Sequence, residues 1–138
     1  MTNYKLQKAA VSGAKFELRP YPGRDIEQRT FKFAARILRL VRVLPKDVAG
    51  YCVARQLARA GTSVGANVEE AQGAQSRVEF ARKMSIARSE AREARYWLRL
   101  LSETEMISNT RLIAITQEAD ELVRIITTIT KKTRMIAK

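Results

Sequence analysis

The chain has 138 residues, enough for one domain that buries a single core without disulfides or a metal. Its one cysteine, Cys52, excludes an intramolecular disulfide, and the absence of histidine leaves the common zinc sites short of ligands. Lys and Arg number 26 against 14 Asp and Glu, a net charge of +12, so polyanions are the natural partners wherever that charge is clustered.

Residues 1–24 carry Gly13, Pro20, Pro22 and Gly23 with Lys5, Lys8, Lys15 and Arg19 between them, the composition of a basic, loosely structured arm. From residue 25 to 138 the pattern is that of an all-α domain, four stretches of helical period divided by Pro45 with Gly50, by Gly73 with Ser76, and by Ser102 to Asn109. The first helix starts near Asp25, an N-cap candidate, and stops before Pro45, whose ring disfavours helix in the residue ahead of it. Its apolar stripe is Ile26, Phe33, Ile37, Leu40, Val41 and Leu44.

The second helix, about residues 48–71, places Cys52, Leu57, Val64 and Val68 toward the core. Ala54, Ala58, Ala60, Gly61, Gly65 and Ala66 among them permit a close helix–helix approach that offsets the poor helix propensity of glycine. The third opens on the capping box Ser76-Arg77-Val78-Glu79, runs to about Leu101, and gathers Phe80, Met84, Ala87, Ala91, Ala94, Leu98 and Leu101 on one face. The fourth begins near Ser108 or Asn109, buries Leu112, Ile115, Ala119, Leu122, Ile125, Ile126 and Ile129, and ends with Lys131, Lys132 and Arg134, cations that suit a helix C-terminus. Short connections between helices of this length favour an antiparallel up-down-up-down four-helix bundle.

The basic residues are ordered on these helices. Arg29, Lys32, Arg36 and Arg39 fall within about 80° of one another on the first. Arg77, Arg88, Arg92, Arg95 and Arg99 fall within roughly 60° on the third. The opposite flank of the third collects Ile86, Glu90, Glu93 and Trp97, a mixture of acid and apolar surface suited to a contact. The third-helix ridge has two readings: guanidiniums facing the phosphates of a nucleic acid, or guanidiniums facing the Glu90 and Glu93 flank of the next subunit in a ring. For the first helix the nucleic-acid reading is favoured, and basic surface spread over several elements suits sequence-independent backbone binding to RNA or DNA.

Nothing in the chain argues for catalysis. No Gly-rich phosphate loop is present, histidine is absent as general base, and the Glu pairs lack the Glu-x-x-His partners of a bundle di-metal site. Cys52 reads as a core residue, and no cofactor is implied. No apolar run of membrane-spanning length and no signal-peptide core occurs, so the expectation is a cytoplasmic protein without membrane contact.

The stretch from Arg55 through Arg59, Gly61, Gly65 and Glu69 to Ala71 resembles the second-helix signature of the bacterial four-helix-bundle proteins encoded in intervening sequences of large-subunit ribosomal RNA genes. Residues Glu90-Ala91-Arg92-Glu93-Ala94-Arg95-Tyr96-Trp97-Leu98 resemble its third-helix signature, E-x-x-E-x-x-Y-W-L. The resemblance covers roughly residues 25–130, with a departure at Ala58, where members often carry arginine. It implies an antiparallel bundle assembled as a pentameric ring without established enzymatic activity. The family is similar to the accessory variability determinants of diversity-generating retroelements, which implies a reverse transcriptase as a candidate partner. The expected function is that of a non-enzymatic, oligomeric nucleic-acid-binding accessory protein. The alternative is a homo-oligomeric protein-interaction scaffold.

Overall fold

The structure, a computed structural model, describes residues 25–137, the side chains of residues 136 and 137 excepted. The expected basic arm, residues 1–24, lies outside the described residues. Within them are four helices and no strand: α1 (Ile26–Val41), α2 (Val48–Gln72), α3 (Arg77–Glu103) and α4 (Asn109–Ala137).

Three of the starts are set by side-chain caps. Asp25 accepts from the backbone N–H of Glu27, Asp47 from Gly50, and Ser76 from Glu79, each satisfying an amide that the first turn leaves without a partner. The Ser76 box is a variant of the expected one. Glu79 reaches back to the N–H of Gln75 at 3.1 Å, one residue ahead of the cap itself. α3 ends where Glu105 takes a left-handed φ of 54°, a conformation usually left to glycine. Bonds from Glu105 N to Ser102 O and from Met106 N to Leu101 O, both 3.2 Å, close its last turn.

Contacts between successive helices run in opposite numerical order, which makes every neighbouring pair antiparallel. Ile37 meets Gly61 and Thr30 meets Gly65 across α1 and α2. Glu70 meets Lys83 and Arg59 meets Glu90 across α2 and α3, and Ser85 meets Arg134, Arg95 meets Asp120 and Ser102 meets Asn109 across α3 and α4. α1 is the short member, 16 residues against 25, 27 and 29, and it packs extensively on α2 but only sparsely on α4.

The expected small-residue contact on α2 is a close approach of α1 to α2. A Cβ on Gly61 would stand 2.8 Å from both Cγ atoms of Ile37, and one on Gly65 would stand 3.2 Å from the Thr30 carbonyl oxygen. Glycine is therefore what lets α1 sit down on α2, and burial of Phe33 and Ile37, each contributing about 1.5–3 kcal/mol, holds it there. All seven apolar residues expected on the inner face of α3 are buried.

Five residues sit differently from the expectation. Cys52 is exposed rather than buried, because Val53 and Leu57 take the inner face of α2 and the preceding residue is turned about 100° away. Val41 and Ile129 are half-buried at the edge of the core. Trp97 and Ile86 are half-buried too, and Trp97 packs against the core.

Candidate nucleic-acid interface

On α1 the buried stripe of Ile26, Thr30, Phe33, Ile37 and Leu40 turns the basic residues outward. Lys32 and Arg39 are exposed and Arg36 is half-buried, and none of the three makes an ion pair with a described residue. Arg29, expected to stand with them, is different. Its Nε donates to Glu118 Oε2 at 3.1 Å, its Nη2 lies 3.5 Å from Glu121, and its side chain is only 11% exposed. The hydrogen bonds that Arg29 donates to Glu118 hold its pKa above the ordinary value against the opposing effect of burial. Arg29 thus fastens α1 to α4 and leaves Lys32, Arg36 and Arg39 as the accessible part of the face.

The fold adds a residue to that face. Arg36 and Arg39 of α1 and Arg111 of α4 line one open cleft whose floor is Leu40 and Ile115, and among the described residues no acidic side chain lines it. Three guanidiniums from two helices converge on a half-apolar surface. Such a surface repels itself when empty and gains charge-assisted hydrogen bonds when it takes up an oxyanion. Sequence reasoning missed Arg111 because its neighbours in the chain are uncharged. Its one local signal is a cation in the first turn of a helix, where the dipole disfavours it.

The α3 ridge lies along the groove with α4 and is not one row of free guanidiniums. Arg95 Nη1 donates to Asp120 Oδ1 at 3.2 Å. Arg88 turns its Nε inward, where it is buried without a hydrogen-bond partner. Arg77 is half-buried at the start of the helix. Arg92 and Arg99 are exposed, and Arg99 borders a groove of about 490 Å³ with Ser102, Glu103, Asn109, Ile113 and Gln117, so an acid shares its surroundings. On the outer side Tyr96 stands edge-on to Trp97, ring centroids 5.0 Å apart and planes at 79°, which offers no flat stacking platform.

The acidic flank of α3 faces α2 and is met within the same chain. Arg59 donates to Glu90 Oε2 at 3.1 Å and to Glu93 Oε2, and Glu93 also accepts from Trp97 Nε1 at 3.1 Å. The hydrogen bond from Trp97, seconded by Arg59, holds the Glu93 carboxyl below its ordinary range, while Glu93 raises Arg59. Lys83 does the same for Glu70 one turn from the end of α2, at 2.7 Å. Arg59 was not singled out as a site residue, yet the two stretches that carry the family resemblance meet through it. Its partners could not be read from spacing within one helix, since they depend on the register between two.

Among the described residues no group of three His, Cys, Asp or Glu side chains is placed to hold a metal ion, and no helix is long and apolar enough to cross a membrane.

Residues 24–128 match the family described as 23S rRNA-intervening sequence protein, and the chain belongs to that family. A crystal structure of a protein with unknown function from the S23 ribosomal protein family of Bacteroides thetaiotaomicron VPI-5482 is similar at 37% identity and a TM-score of 0.72, over 77% of this chain and 98% of that one. No curated protein matches the sequence.

Proposed function

We propose that this member of the 23S rRNA-intervening sequence protein family is a non-enzymatic RNA-binding protein that holds the phosphate backbone on the outward basic face of α1. The observation that carries the reading is that Lys32, Arg36 and Arg39 have no counter-ion among the described residues while Arg29 and Arg59 are engaged within the chain. Arg92 and Arg99 on α3 extend the basic surface, whereas Arg95 is engaged with Asp120 of α4, Arg88 turns its Nε inward, and Arg77 is half-buried. Family membership favours RNA over DNA as the polyanion.

The fuller reading has the protein acting as a homo-oligomer, a pentameric ring by resemblance, with duplex DNA as a second polyanion and a reverse transcriptase as a candidate protein partner. In that assembly Glu90, Glu93 and Trp97 sit at or beside the subunit boundary, with Arg59 as their intrachain competitor. The protein works in the cytoplasm. The scaffold reading differs in one respect: the same cations would meet acidic protein surfaces instead of phosphates.

Light scattering and fluorescence anisotropy with a single-stranded RNA, across a salt series, test the proposal. Each phosphate neutralised on single strands contributes about −0.7 to the slope of log affinity against log salt, so three to five contacts predict a slope of about −2 to −3.5. Failure to bind RNA at low salt would leave the scaffold reading in its place.

A further inference from the structure

The arginine cleft has a property beyond charge: it straddles the seam where α1 meets α4 most sparsely. α1 is held firmly by α2, but it meets α4 sparsely, and Arg29 ties it there to Glu118 and Glu121. At the other end of that seam Arg36 and Arg39, one turn apart on α1, look across Leu40 and Ile115 at Arg111 on α4. Three like charges push the two helices apart there, and no acid among the described residues lines the cleft to oppose them. Arg111 also stands in the first turn of α4, a turn without acidic residues and at the positive end of the helix dipole, so local helix stability does not account for it. A residue that works against both its own helix and its own seam is placed for something that arrives from outside.

We propose that Arg36, Arg39 and Arg111 form a two-helix clamp for a phosphate group of RNA, and that the bound phosphate ties α1 to α4. This rests on the RNA reading above and adds a site and a consequence to it. A tetrahedral oxyanion offers several acceptor oxygens, enough for donors from both helices, and the apolar floor excludes water from one side of it. Because the phosphate bridges two helices, binding stabilises the closed bundle by linkage.

The test uses the full chain and its Arg111→Gln variant, with Lys32→Gln as a control on the same basic face but outside the cleft. Melting is followed with sodium phosphate against sodium chloride at equal ionic strength. RNA binding is followed with one single-stranded oligonucleotide prepared with a 5′-phosphate and with a 5′-hydroxyl. The clamp predicts that phosphate raises the melting temperature of the parent and of Lys32→Gln but raises that of Arg111→Gln less, which removes the general stabilisation by phosphate from the comparison. It predicts a loss of RNA affinity of about tenfold in Arg111→Gln, as for one charge-assisted hydrogen-bonding group, and a smaller one in Lys32→Gln. A preference for the 5′-phosphate marks the occupant as a terminal phosphate, and equal affinities mark it as a backbone phosphodiester. If the parent binds RNA and Arg111→Gln binds it equally well, with the same response to phosphate, the clamp is wrong while the RNA reading stands. If phosphate discriminates the two proteins but RNA binds neither, the RNA reading is wrong and the cleft is a site for a smaller phosphate compound.

Discussion

Between α2 and α3, Arg59 lies against two carboxylates, and a tryptophan N–H completes the set on Glu93. Between α1 and α4, Arg36, Arg39 and Arg111 converge with no carboxylate from the described residues beside them, although Arg29 on the same helix has Glu118 and Glu121. The residue type is the same and so is the setting, a groove between antiparallel helices. The difference lies in the counter-ion, and it separates arginines that hold the bundle together from arginines that are open to a ligand. Composition alone does not make that separation, since a +12 chain could carry its excess in either place.

The comparison can be broken at its foundation first. α1 reaches the cleft only because Gly61 lets it sit on α2, so Gly61→Val, which would drive methyl groups into Ile37, should cost about 1–3 kcal/mol in urea unfolding. It should also weaken RNA binding, because α1 would no longer be held at the distance the cleft requires. A smaller effect is expected at the paired end of the same seam. Arg29→Ala takes the cation from Glu118 and should cost about 1 kcal/mol, with RNA affinity changed little because Arg29 faces acids rather than ligand.

The smallest effect is a pH dependence on the α2–α3 side. Glu93 has its pKa lowered by folding, so its contribution is complete above the ordinary carboxylate value and is lost as pH falls through its depressed folded value. Glu93→Gln should therefore melt slightly below the parent at neutral pH and converge with it in acid. Parallel melting curves with a constant gap would mean that the Glu93 carboxylate contributes nothing specific.

The helices were legible in the chain because their signals are local. Asp25, Ser76 and Pro45 mark ends, and a 3.6-residue period marks faces, so the starts of α1 and α3 and the inner face of α3, buried Ala81 excepted, could be read directly. Cys52 was misplaced because α2 is rich in small residues, which blur the apolar stripe and leave its phase open by one residue. The site was legible only as far as one helix at a time. Lys32, Arg36 and Arg39 are neighbours on one face of α1, whereas Arg111 joins them, and Glu118 takes Arg29 from them, only through the register of α4 against α1. The Arg59 clamp was hidden for the same reason, although both of its halves lay inside the stretches that resemble the family.

The central claim is that position, and not net charge, decides which arginines bind RNA. It is tested most directly by two variants that each remove two positive charges: Arg36→Gln with Arg111→Gln, and Arg59→Gln with Arg95→Gln. RNA affinity and its salt dependence are measured for both beside the parent. The account predicts that the first pair loses most of its affinity, with a salt slope shallower by about 1.4, while the second binds as the parent does and is only less stable. Equal losses in the two variants would contradict it, and would mean that RNA responds to the total charge of the bundle.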